Sequence, residues 1–220
     1  MRKSFLFVLL IALCGPAIAA PRGVHVITFG KVLPVKLFIG PNASDTVPMK
    51  IRSLYVDGKL KEFTTGPIHD VTDRLFVVRR AFRLNNNLPD EDNKVPDWVW
   101  QQGGWLLVDR LTGRVSQVNL QLFDPFYSHA EWFRDYAAYC GLSDDGETLY
   151  AVVMQLGNRK PIVKKKLGEA SNAPDPSADC EPPNWQKAPT RVTFSPKKGL
   201  PVSFSIFGHA ADIAPGSDEE

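Results

Sequence analysis

SLYVDGKLKEFTTG, residues 53–66, decides the fold class. Apolar and polar residues alternate up to Val56, the chain turns at Asp57-Gly58, and a second run returns from Lys59 to Phe63. Alternation with period two puts one face of a strand in a core and the other in water. An Asp-Gly pair suits a type I′ turn, which needs positive φ at both central residues and matches the twist of the paired strands. The stretch is a β-hairpin whose first arm begins at Met49.

The same punctuation extends in both directions. His25–Phe29 and Val32–Ile39 read as strands, with Pro34 placing part of the second at an edge or bulge. Leu75–Leu84 is a long β-rich run. Asn85–Pro96 is polar and reads as a loop. Trp105–Asp109 and Arg114–Leu120 form a hairpin around Leu111-Thr112-Gly113, and Ala137–Leu142 pairs with Thr148–Gln155 across Ser143-Asp144-Asp145-Gly146. Pro161–Leu167 is a further strand candidate. Gly168–Lys187 is rich in Pro, Ser and Asn and reads as a loop held down by Cys180. Arg191–Phe194 and Val202–Phe207 make a last hairpin. Ser128-His129-Ala130-Glu131 fits a capping box, which allows one short helix near 129–136, in competition with a strand starting near Arg134. The expectation is an all-β, mostly antiparallel fold of two or three twisted, blade-like sheets with at most that one helix.

Two patterns recur in alternation. SLYVDGKLKEFTTG and GWLLVDRLTGRVSQV (104–118) are strands ending in Asp, a Gly turn and a return; HDVTDRLFVVRR (69–80) and LSDDGETLYAVV (142–153) are Asp-marked turns into a strand. They resemble blades of the β-propellers in exported proteins of the TolB and YVTN-repeat kind, where a DG turn leads into an inner strand and a D-x-x-TG turn joins two outer ones. The resemblance covers residues 53–167. Propellers close with at least four blades. Two are recognisable here, which favours a small assembly of sheets over a closed propeller. No function follows from the resemblance, since that fold hosts many.

The chain opens like a secretory signal peptide: Arg2 and Lys3, an apolar run from Phe5 to Cys14, Gly15-Pro16, then Ala17-Ile18-Ala19 as an A-x-A cleavage pattern. Cleavage is expected after Ala19. The alternatives are an uncleaved anchor and a lipoprotein modified at Cys14, which Leu13 disfavours because a small residue normally precedes such a cysteine. The domain reading is residues 1–19 as signal peptide, 20–213 as a single β-rich domain, and 214–220 as a disordered acidic tail. Removing Arg2 and Lys3 from the 26 Lys+Arg leaves 24 against 24 Asp+Glu. A neutral chain has no general electrostatic footprint for nucleic acid or anionic membrane, and no later apolar stretch is long enough to span a bilayer. The two remaining cysteines, Cys140 and Cys180, point to a disulfide in an oxidising compartment, with two free buried thiols as the alternative. The loop it closes corresponds to roughly 4 kcal/mol in the chain-entropy model.

Candidate chemistry is sparse. His129, Glu131 and Asp135 are the densest polar cluster near aromatics. On a helix His129 and Glu131 point apart, so a capped helix start is the plainer reading. His69, Asp70 and Asp73 read as a turn with Asp caps, and His209 with Asp212 lies near the tail. No nucleophile elbow, Walker A loop, dinucleotide fingerprint or zincin motif occurs, and no cofactor or metal is expected. Asn42-Ala43-Ser44 is a glycosylation sequon by pattern. Lys164-Lys165-Lys166 reads as a solvated or edge-blocking strand. The unusual feature is the aromatic-rich middle, where Trp98 and Trp100 follow a polar loop and share one strand face. The expected function is an exported, non-catalytic binding or interaction domain of the cell envelope, with Trp98 and Trp100 as ligand-binding residues and carbohydrate, peptide or another envelope protein as partner. A secreted hydrolase with an unrecognised site, or a structural subunit of an envelope complex, are the alternatives.

Overall fold

The computed structural model describes residues 25–38, 45–87, 95–171 and 179–207, and all its regular elements are strands. The signal-peptide reading, Cys14, the Asn42 sequon, His209, Asp212 and the acidic tail lie outside the described residues.

Three sheets form. The first contains β1 (Ile27–Phe29), β2 (Leu33–Phe38), β3 (Thr46–Val56), β4 (Lys59–Asp70), β5 (Leu75–Asn85), β6 (Trp98–Asp109) and β7 (Val115–Val118). Its order is β1-β3-β2-β6-β5-β4, with β7 beside β6 and β4 also paired to β3. The Asp57-Gly58 turn takes positive φ at both residues, 52° and 73°, as a type I′ hairpin requires. Gly113 is needed twice over: its φ is 66°, and a Cβ there would lie 2.8 Å from Val56 Cγ1 and 2.9 Å from His25 Cγ. Strands β2 and β6 meet in parallel at one registered pair, Leu37 with Trp100, and the pairing of β4 with β3 brings the sheet round on itself.

Alternation buries both faces of this sheet at different levels. Met49 and Ile51 of β3 pack with Ala81, Val35, Leu37, Phe63 and Trp100. Leu54, of opposite parity, packs with Phe76, Val78, Leu106 and Val108.

The second sheet contains β8 (Glu131–Phe133), β9 (Tyr136–Leu142), β10 (Thr148–Gln155) and β11 (Val163–Glu169); the third contains β12 (Cys180–Gln186), β13 (Arg191–Pro196) and β14 (Val202–Ser205). They run β11-β10-β9-β8 and β12-β13-β14. Strand β9 is an unbroken apolar run because both its faces are covered. Tyr136, Ala138 and Cys140 meet Val192 and Phe194 of the third sheet. Ala137 and Tyr139 meet Leu120, Leu122 and Phe123 of the segment that precedes β8. A disulfide between Cys140 and Cys180 joins β9 to β12 with Cα atoms 6.4 Å apart, within the range a disulfide spans.

Near 129–136 the strand prevails over the helix, and one loop reading is corrected. No helix forms near 129–136. Ser128 Oγ donates to the Cys140 carbonyl (2.8 Å) instead of capping, and Arg134, at φ 54°, turns β8 into β9. The two adjacent rings decide the matter: Trp132 packs on Trp105 and Phe133 on Trp185. Consecutive large side chains with separate neighbours suit a strand's alternation. The stretch 168–187 is also not all loop, since its end is β12. Pro182 and Pro183 are accommodated because β12 is an edge strand whose register shifts between Glu181 and Asn184, where proline costs no ladder bond.

Candidate functional site

Strands β5 and β6 stay paired to their open end, where Asn85 faces Trp98 and Arg83 faces Trp100. Arg83 is therefore diagonal to Trp98 on one face, within reach of a long side chain. Its guanidinium lies 4.7 Å from the Trp98 ring centroid. Trp98 is 49 % exposed. Trp100 is half-buried, stands edge-on to Phe63 at 5.1 Å, and belongs to the apolar cluster around Ile51 and Ala81. The two tryptophans thus share a strand without forming a common platform; only Trp98 presents its ring.

The base of the loop before Trp98 is clamped. The Asp97 N–H donates to Asn85 Oδ1 (3.0 Å), the Asn86 N–H to the Asp97 carbonyl (2.7 Å), and Asn87 Nδ2 to the Val95 carbonyl (3.1 Å). The asparagines that read as loop composition fix the approach to Trp98. Val95, at the base of that loop, is exposed too, and Leu84 is exposed on the opposite face of β5. An indole with a guanidinium over it offers a flat apolar face and a fork of donors, a combination suited to a ligand with one apolar face and one acidic group.

The two polar clusters lie elsewhere, and His69 of one reaches the strand and turn that carry the other. His69 donates from Nε2 to the Arg134 carbonyl (2.7 Å) and stacks on Trp132 at 6.0 Å; Trp132 stands edge-on to Trp105 at 5.3 Å. Asp135 is buried in the β8–β9 turn. Its carboxylate accepts from Gln155 Nε2 (2.8 Å) and its carbonyl from the Leu156 N–H (2.9 Å). Glu131 lies exposed at the start of β8, where partial burial pushes its carboxyl up and its carbonyl accepts from Trp185 Nε1 (2.9 Å). His129 is exposed. Asp70 pairs with Arg110 (2.6 Å), whose Nη1 also donates to the Asp73 carbonyl (3.2 Å). The cap of the β4–β5 turn is Thr72 Oγ1, accepting from the Leu75 N–H (3.0 Å), and not an aspartate. His69 joins the two sheets through the Arg134 carbonyl and the Trp132 ring, while Asp70 is held by Arg110 within the first sheet and Asp135 by Gln155 within the second. Among the described residues no three His, Cys, Asp or Glu side chains are grouped to hold a metal.

Sequence reading missed Arg79. It is buried and donates to the carbonyls of Gly103 (2.8 Å), Ser128 (3.3 Å) and Pro125 (2.7 Å), with its charged form pulled down to about 10 by burial. The signal was available: Arg79 shares strand parity with the buried Val77 and Ala81.

A shallow groove lined by Leu149, Lys166, Gly168, Glu169, Asp179 and Lys198 lies at the end of β11. It mixes charge signs, and Asp179 is committed to Tyr127 Oη (2.6 Å) and the Ser171 N–H (2.8 Å). Lys164, Lys165 and Lys166 are exposed on β11, the outer strand of its sheet. Comparison of the chain with protein-family models, curated proteins and solved structures finds no match.

Proposed function

We propose that the protein is an exported, non-catalytic binding domain of the cell envelope whose contact face is the open end of β5 and β6. The observation that carries this reading is the half-exposed Trp98 ring held beneath Arg83 on a clamped strand end. Surface aromatic residues of this kind stack on the apolar faces of sugars and peptides, and Arg83 adds preference for a carboxylate or other anion. The disulfide between Cys140 and Cys180 supports an oxidising compartment, in keeping with the signal-like start of the sequence.

Titration with libraries of neutral and acidic glycans and of peptides, followed by tryptophan fluorescence, tests the reading. Saturable binding that Trp98→Ala abolishes is the expected result. Binding that survives Trp98→Ala places the ligand elsewhere and overturns it. Mass spectrometry of the exported protein should find Ala20 as the first residue; a retained Met1 or a diacylglyceryl mass on Cys14 refutes the export route.

A further inference from the structure

The outer strands of the second and third sheets are unequally protected. An open strand edge is a template for another strand, and proteins blunt it with lysines, prolines or shortness. Strand β11 carries three exposed lysines, Lys164 to Lys166. Strand β12 carries Pro182 and Pro183 at its register shift. Strand β8 has three residues. Strand β14, four residues long, carries neither a charge nor an internal proline: the stretch from Leu200 to Phe207 reads LPVSFSIF, with its one proline ahead of the strand.

The backbone of β14 follows from its register with β13. The Ile206 N–H donates to the Thr190 carbonyl (3.0 Å), and Phe204 faces Val192 while Val202 faces Phe194. In an antiparallel pair, residues that exchange hydrogen bonds alternate with residues that do not. Val202, Phe204 and Ile206 therefore bond inward, and Ser203 and Ser205 turn their N–H and C=O groups to the open edge. The contact of Ser203 Oγ with Thr193 Oγ1 at 2.7 Å fits a non-bonded pair, in which side chains stand closest. No described strand pairs that edge. Two large apolar side chains flank it fully exposed, Leu200 at 84 % and Phe207 at 92 %.

We propose that β14 pairs with β14 of a second copy of this chain, antiparallel about a two-fold axis, joining two three-stranded sheets into one. The edge is self-complementary in the register that puts Phe204 opposite its own copy. Ser203 then exchanges backbone bonds with Ser205 of the second copy, and the reverse. Val202 meets Ile206, so the apolar row of both strands stays on the core side, where Phe204 and Ile206 already pack. Phe207 falls opposite Pro201 of the second copy, on the face that Ser203 and Ser205 share, and the pairing covers part of its exposed ring. Because residues 200–207 carry no charge, the two-fold brings no like charges face to face on the paired strands. A contact of this length sits at the small end of biological interfaces, below the roughly 1,200 Å² of stable complexes, so the dimer is a concentration-dependent one.

Sedimentation velocity and amide hydrogen exchange on the purified protein, up to about 1 mM, test the proposal. Monomer and dimer should interconvert with concentration, and the amides of Ser203 and Ser205 should gain protection in the dimer while those of Val202, Phe204 and Ile206 are protected throughout. Ser205→Pro removes an outward N–H and leaves the inward ladder intact, so it should weaken dimerisation by at least tenfold. Phe207→Ser, at a fully exposed site, should weaken it without touching the strand and serves if the proline variant misfolds. A monomer at every concentration overturns the proposal. A dimer indifferent to both variants, or protection that appears only with an added extended peptide, overturns it too.

Discussion

Strands β5 and β6 make the same chemical pair twice. At one end Arg83 lies over Trp98 in solvent, at 4.7 Å. Further along, Arg79 faces Trp105 in register, and its guanidinium lies 5.8 Å from that ring and 5.0 Å from Phe123. The ligand groups are alike and the surroundings opposite. Around Arg79 the segment before β8 supplies two carbonyls and excludes water, so the cation is a brace that ties that segment to the first sheet. Around Arg83 no such cover exists among the described residues, and the pair keeps an open flank. Burial thus separates a brace from a contact face, and substitution at the two ends should give opposite patterns of stability and binding.

The largest effect belongs to the buried pair. Arg79→Ala leaves three carbonyls without their donor and opens space under Trp105, at a cost of about 3–5 kcal/mol. Arg79→Lys should recover only part, because a single ammonium cannot reach three divergent carbonyls as a planar fork does. Urea unfolding measures both. A loss below about 1 kcal/mol for Arg79→Ala, the size of a surface change, would remove the distinction between the two ends.

Asp109 closes the far end of β6 and sharpens the comparison through pH. Bonds from the Arg74 guanidinium and from the backbone N–H groups of Leu111 and Thr112 hold its carboxyl well below the usual carboxylate range. A carboxyl depressed in the folded state stabilises fully above its unfolded value, about 3.9, and loses that contribution as pH falls through the folded value. Asp109→Asn should therefore cost about 1–3 kcal/mol at neutral pH. The gap between the variant and the parent should narrow only below about pH 4. A gap that closes between pH 5 and 8 would assign the effect to another group.

His69→Ala probes the joint between sheets. Losing the bond to the Arg134 carbonyl and the stack on Trp132 should cost about 1 kcal/mol and shift tryptophan emission, since Trp132 becomes more exposed. Unchanged emission would show that His69 does not shield that ring.

The hairpins were legible because their turns carry local chemistry: Asp57, Gly58, Gly113 and Gly146 all take positive φ, which sequence announces as DG or TG. The disulfide followed from two cysteines. What stayed hidden depends on partners distant in sequence. Ser128 and Glu131 have helix-start chemistry, yet Ser128 is claimed by Cys140 and Trp132 by Trp105. Strand β12 was masked by Pro182 and Pro183, which only an edge position accommodates. The shared face of Trp98 and Trp100 was readable from spacing. Their separation was not, because Leu37 and Phe63 come from other strands to cover Trp100. Arg83 carries no local sign of a ring one strand away.

The smallest effect on stability belongs to the exposed pair, and it decides how the open end is used. Trp98→Ala removes a half-exposed ring and Arg83→Ala a cation over it; an exposed contact of this type is worth about 0.5–1 kcal/mol, so each variant should unfold within about 1 kcal/mol of the parent. Binding should respond in the reverse order of the stability series. Trp98→Ala should abolish it, Arg83→Ala should weaken acidic ligands and leave neutral ones nearly unchanged, and Arg83→Lys should restore affinity in part, because an ammonium keeps the charge and loses the bidentate fork. Arg79→Lys, where it folds, should bind as the parent does. If Trp98→Ala costs as much stability as Arg79→Ala, the open end is a second brace and the contact face lies elsewhere. If acidic and neutral ligands weaken equally in Arg83→Ala, the guanidinium holds the ring in place and does not read the ligand's charge.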